Sequence, residues 1–435
     1  MKTARRSTRA LRAAAVALCL SSPSVPRAAL GAVDDLSARV RLDLQSDLIV
    51  SLACDDEAAV DSAHRAAAVT VAVDGQPVEE ILMFPGSGKR QYDAIVGPLA
   101  AGPHQISLKP ARFWTDPPPP IHDLRVRVVK RDDPDAALVS HAPALWARAD
   151  TVGQANDLPL VMYVEARPET TGARTLTYSM IFSNEDAGTA TRALMARWGR
   201  TTDIEWAYEV RLEHESVAGE MFQGPAHDTR PFDGARIGVH PILLVATMNN
   251  VFSDHGAGVA LIRPVPRLVD LTRATRESVM DLEPWTYLVM AHELSAEHKV
   301  APPAGASALS TIDDPRHYVY LEGQLDLRAA AAIANARDAK GVWRTSHGGL
   351  RELRVERNGW VRLAVPVGDS APSAVGWSCE PAAQATTDRD SPQCRIHAAR
   401  AFRLGDRYEV GPNLIEPQSL TLAAGELHTL EVRRP

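Results

Sequence analysis

Strand-length apolar runs, each cut short by turn chemistry, are the feature that most limits what this chain can fold into. Val40–Leu44, Val69–Val73, Ile106–Leu108 and Leu124–Val129 are such runs, and Asp74-Gly75, Gly86-Ser87-Gly88 and Gly102-Pro103 lie between them. Runs this short, bounded by Gly, Pro and Asp, predict strands and not helices. Leu158–Glu165, Thr175–Phe182, Ile204–Leu212, Pro241–Thr247 and Val259–Ile262 continue the series. Several are apolar nearly throughout, as strands buried on both faces would be. One convincing helix is expected, opened by Glu283-Pro284-Trp285 and running through Leu294, with proline allowed in the first turn. Asn358-Gly359, between Leu353–Arg357 and Trp360–Val365, is the strongest hairpin signal. The predicted class is mainly β, built as several β-sandwiches.

Composition then divides the chain. Lys2, Arg5, Arg6, Arg9 and Arg12 precede the short apolar stretch Ala13–Leu20 and a small-residue zone, so residues 1–32 read as an export signal. No other run approaches the roughly 20 apolar residues of a spanning helix. The expected location is secreted or periplasmic. Residues 33–130 predict a small immunoglobulin-like sandwich, with Pro117–Pro120 at an edge or in a stiff loop. Arg131–Asp135 marks a boundary, 136–300 a central β-rich domain, and Ala301-Pro302-Pro303-Ala304-Gly305-Ala306 a linker. Residues 310–435 are again β, with an alanine-rich piece at Ala329–Ala336. Residues 1–31 hold six basic groups and no acidic one, so their removal takes the formal charge from −7 to −13. That argues against nucleic acid as a partner. Cys379 and Cys394, 15 apart across a Gly/Pro/Asp/Ser-rich loop, are expected to pair once exported, leaving Cys54 as a buried thiol.

Candidate chemistry concentrates in residues 174–214. Glu185, Asp186, Asp203 and Glu205 stand near Arg197, Trp198 and Arg200. Asp203 and Glu205, two apart on a strand, share a face, and two carboxylates there need a cation, an arginine or a shared proton. The options are a hard-cation site, an acid/base pair, or plain pairing with Arg197 or Arg200. Asn249, Asn250 and His255 follow a second apolar strand and suit sugar hydroxyls or a metal shell, and equally they are ordinary loop chemistry. His292-Glu293 with His298 fails as a zinc-protease helix, because the second histidine is six residues on instead of four. There is no Gly-x-Ser-x-Gly elbow, which argues against an α/β-hydrolase, and no Walker or Rossmann glycine pattern; no nucleotide or haem cofactor is expected.

Asp203-Ile204-Glu205-Trp206 and His240-Pro241-Ile242-Leu243-Leu244-Val245-Ala246 resemble two short motifs of the β-sandwich group that contains the Nep1-like secreted proteins and the plant Vps62-like proteins. The likeness covers about residues 199–256. The tryptophan lies outside the acidic pair here, and the toxin branch's Gly-His-Arg-His-Asp lead-in is absent. The resemblance implies a sandwich with a divalent cation, Ca²⁺ or Mg²⁺, near Asp203 and Glu205. The expected function is an exported binding protein whose partner is a glycan or an envelope protein. The alternative is a secreted glycan hydrolase drawing a carboxylate pair from Glu185, Asp186, Asp203 and Glu205.

Overall fold

The computed structural model describes residues 36–56, 66–84, 86, 88–170, 172–185, 187–301, 309–383 and 391–433. The expected export signal and Asp186 lie outside them. The chain is mainly β, built from several mostly antiparallel sheets.

Residues 37–128 form two facing sheets. One has the order Ser37–Leu42, Gly102–Pro110, Ala67–Val73, Gln76–Met83; the other has the order Gly88–Leu99, Ser46–Asp56, Ile121–Val128. The middle of the chain builds a six-stranded sheet in the order Thr229–Pro231, Ser216–Gln223, Asp203–Glu213, Arg174–Phe182, Pro159–Pro168, Arg267–Val269. A smaller sheet of Arg236–Ile237, His240–Val245, Ala144–Ala147 and Ala260–Ile262 covers one face of it. The C-terminal part again has two four-stranded sheets, one of them centred on Tyr318–Arg328 and Gln393–Phe402.

The six-stranded sheet is buried on both faces over its middle, which explains its nearly continuous apolar strands. Leu176, Tyr178, Met180 and Phe182 pack toward the smaller sheet with Leu243, Val245 and Phe252. The alternate residues Val161, Tyr163, Ile181 and Ile204 pack the other way, in a core shared with Tyr287, Met290 and Leu294 of the helix Trp285–Ala296. The same core reaches Leu82 and Phe84 of the N-terminal sheets and Tyr320 and Phe402 of the C-terminal ones.

Helix was under-read from sequence. Besides Trp285–Ala296, the central region holds Ala136–Ser140, Ala149–Gln154, Thr191–Trp198 and Ser278–Leu282. Each is too short for amphipathic periodicity to stand out. The connector bearing Arg197 and Trp198 is therefore a helix, closed at Gly199 in the left-handed conformation (φ 62°). The alanine-rich piece is the strand Ala330–Arg337, buried at every position but the last. Its alanines let flanking layers approach closely on both faces. Cys379 and Cys394 form the expected disulfide, with Cα atoms 5.8 Å apart, and Cys54 is buried outside it. No helix among the described residues is long and apolar enough to cross a membrane.

Candidate functional site

Antiparallel register places Asp203 opposite Phe182 and Glu205 opposite Met180, so both carboxyls point to the sandwich-interior face at the sheet's end. There the apolar filling stops and amides take over. The buried Asn250 donates through Nδ2 to Asp203 Oδ2 at 3.2 Å and to the Asn184 carbonyl at 3.0 Å. Gln223, at the end of the neighbouring strand, donates through Nε2 to Glu205 Oε2 at 2.7 Å.

From Gln223 the bonding continues outward. The same Nε2 lies 2.8 Å from His227 Nδ1, and His227 Nε2 lies 2.7 Å from the Asn249 amide oxygen in the orientation that satisfies all partners. The Asn249 amide nitrogen then donates to Glu185 Oε1 at 2.9 Å and to the Ala187 carbonyl at 2.6 Å. Glu185 Oε1 also accepts from the Thr189 backbone N–H at 2.9 Å. Glu205, Gln223, His227, Asn249 and Glu185 thus form one continuous chain of hydrogen bonds. These contacts assign the His227 proton to Nε2, with Nδ1 accepting. His227 (φ 57°) and Asn250 (φ 50°) both hold left-handed turn conformations, more easily reached by Asn than by His.

The carboxyls are electrostatically stressed. Burial pushes Glu185 up to about 7, and repulsion from Asp203 adds to it. Glu205 is likewise pushed up to about 7 by burial and then by Asp203, against the stabilising Gln223 hydrogen bond. Asp203 itself is raised by burial, with Arg200 opposing. Glu185 and Glu205 are so placed as to hold or release a proton near neutrality.

The structure separates the other residues singled out by sequence. Arg200 is buried and pairs with Glu277 at 3.1 Å, while donating to the Thr202 carbonyl. Arg197 donates to the Glu352 carbonyl, and Trp198 lies 5.1 Å beneath the Arg357 guanidinium. Arg197 and Trp198 therefore contact the C-terminal part, and among the described residues no ion pair joins Arg197 or Arg200 to Asp203 or Glu205. His255 is exposed, with Nδ1 2.8 Å from Asp254. Among the described residues no group of three or more His, Cys, Asp or Glu converges as a metal-holding cluster. Gln223 and His227 escaped the sequence reading. The turn Gly224-Pro225-Ala226-His227-Asp228 was its signal, but only the fold brings it beside Asn249.

No family model matches the chain, and no curated protein matches it. One solved chain with some similarity is titled "Biofilm associated protein - BSP domain". It is 9% identical over 94% of this chain and 95% of that one, with a TM-score of 0.11. With so little superposition, function rests on this chain's own geometry.

Proposed function

We propose that this is an exported binding protein of the cell envelope or secretome, which recognises a hydroxyl-rich ligand of glycan type at the end of its central sandwich. The hydrogen-bonded chain from Glu205 to Glu185 carries this reading. It alternates donors and acceptors, fixes their rotamers, and leaves His227 half-exposed and Asn249 partly so. Preoriented amide, imidazole and carboxyl groups suit the paired donor and acceptor character of sugar hydroxyls. Support for export comes from the basic-then-apolar start of the sequence and from the disulfide. Any Ca²⁺ or Mg²⁺ in this reading takes Glu205 Oε1, which has no hydrogen-bond partner among the described residues, together with Asp203.

The test is calorimetric titration of a glycan panel into the mature chain, with chelator and then with Ca²⁺ or Mg²⁺, alongside Gln223→Leu and His227→Ala. Binding that weakens at least about tenfold in both variants is expected, a loss of roughly 1.4 kcal/mol. Binding unaffected by either variant, or absent across the panel, overturns the reading.

A second reading, a glycan hydrolase, draws on Glu185 and Glu205 being pushed to about 7, which suits either one as the general acid near neutrality, with the other carboxyl ionised as its partner. Release of reducing ends by the parent, abolished in Glu205→Gln but not in Gln223→Leu, would favour it over binding alone.

A further inference from the structure

We propose that the edge strand Ser37–Leu42 takes an acidic segment of a partner protein as an added strand, with Arg39 and Arg41 reading carboxylates spaced two residues apart. This surface belongs to the N-terminal sandwich and shares no residue with the acid–amide chain. Ser37–Leu42 ends its four-stranded sheet and is hydrogen-bonded on one side only, to Gly102–Pro110. Register sets Arg39 opposite Gln105. Gln105 spends both backbone groups on Asp74, at its far side. Its N–H donates to Asp74 Oδ1 at 2.8 Å, and its carbonyl accepts from the Asp74 N–H at 2.9 Å. Arg39 therefore finds no ladder partner in Gln105, and its own N–H and C=O point outward from the sheet.

The two-residue period gives Ser37 and Arg41 the same orientation. None of the three has a backbone hydrogen bond among the described residues. Their side chains are exposed as well, whereas Leu42 is buried and Val40 packs against the core. Open backbone groups at every second position form a template that an incoming strand completes.

Charge decides what that strand is. Arg39 and Arg41 make no hydrogen bond or ion pair among the described residues, in a chain of formal charge −7. They line a hollow of about 390 Å³ together with His104 and Asp74. His104 Nε2 lies 2.8 Å from the Ala100 carbonyl, and Nδ1 lies 2.8 Å from Asp74 Oδ2. Both contacts raise its pKa, the Ala100 carbonyl most, and favour the imidazolium. Asp74 is engaged at both oxygens, by Gln105 and by His104. The hollow thus presents three cations and no carboxylate oxygen without a partner. A second copy of the same strand would set arginine against arginine, and like charges directly opposite are destabilising. A strand with Asp or Glu at every second position instead lays its backbone on the open edge and its carboxylates across from both guanidiniums. Arginine's planar fork suits a carboxylate bidentately.

Calorimetric titration of a short peptide alternating glutamate and valine into the full mature chain tests the assignment. Its controls are the same peptide with lysine for glutamate, the acidic peptide N-methylated along its backbone, and a sulfated oligosaccharide. The acidic peptide should bind. The N-methylated one should not, since methylation removes the backbone donors and keeps the charge. Arg39→Gln/Arg41→Gln should weaken binding at least about threefold. Because both arginines are exposed and unpartnered, that variant should melt like the parent, which separates lost recognition from lost folding. Amide hydrogen exchange at Arg39 and Arg41 should slow when the peptide binds, as it would on addition of a strand to this edge. No binding, equal binding of the lysine or N-methylated peptide, indifference to the double variant, or unchanged exchange overturns the proposal. Binding of the sulfated oligosaccharide but not of the peptide also overturns it, and gives the strip to a polyanionic glycan.

Discussion

Replacing Glu205 by Gln should stabilise the protein at alkaline pH and do little at acid pH. In the folded chain Glu205 is pushed from an ordinary 4.5 to about 7, and only 14% of its side chain is accessible. The unfolded chain therefore gives up its proton at lower pH than the folded one. Stability held below pH 4.5 is lost as pH rises through 7, after which the folded state carries the full cost of a desolvated carboxylate. That difference corresponds to about 3 kcal/mol. Glutamine keeps an acceptor for Gln223 and removes the charge, so Glu205→Gln should recover most of that energy at pH 8.5. The expected rise in melting temperature is on the order of 5–10 °C for the central domain. Urea unfolding at pH 4.5 and 8.5, with chelator present so that no cation offsets the charge, measures it. An equal effect at the two pH values, or destabilisation at pH 8.5, would refute the reasoning. The gain would also identify Glu205 as a residue retained at a cost to stability, the pattern found where a side chain serves a ligand.

Arg362→Met should lower stability by up to about 3 kcal/mol, since it leaves Asp281 and the buried Glu322 to share Arg400 as their one remaining guanidinium partner among the described residues. Denaturation of the parent, the single variant and Arg362→Met/Glu322→Gln checks this, and the double variant should regain part of the loss. Replacing both Cys379 and Cys394 by serine should cost about 3 kcal/mol for a loop of this length, read as earlier melting that reductant reproduces in the parent. Gly199→Ala should cost about 1–3 kcal/mol, because φ is 62° and the new methyl would sit 2.7 Å from Arg362 Cγ. A melting point within 1 °C of the parent would remove this constraint.

Much of the strand content was legible because apolar periodicity and turn residues are local signals. The strand Ser46–Asp56 was missed because its acidic end, Asp55-Asp56, masks the run Leu48–Leu52 that is buried in the core. The pair Asp203 and Glu205 was visible from its two-residue spacing, and Asn249 and Asn250 from their place after an apolar strand. What sequence could not supply was contact between distant segments. Gln223 and His227 meet Asn249 only because the strand pair Ser216–Gln223 and Thr229–Pro231 ends beside the turn that follows His240–Val245. Arg200 was misleading for the opposite reason. It sits three residues from Asp203 in sequence, yet folding commits it to Glu277.

Gly199 touching Arg362 bears on how this chain could be divided. The glycine ends the helix leading into the acid-bearing strand, and the arginine belongs to the C-terminal strand Gly359–Pro366. Arg362 and Arg400 in turn neutralise Asp281, which lies in the central region. A fragment ended after Ala301 would lose both counter-ions, uncover Tyr287 and leave that helix without its backing. Composition marks a module edge there, but charge pairing and packing cross it. The central sandwich should be inherited, expressed and unfolded together with the C-terminal sheets, and a graft of the site onto another protein would have to carry both.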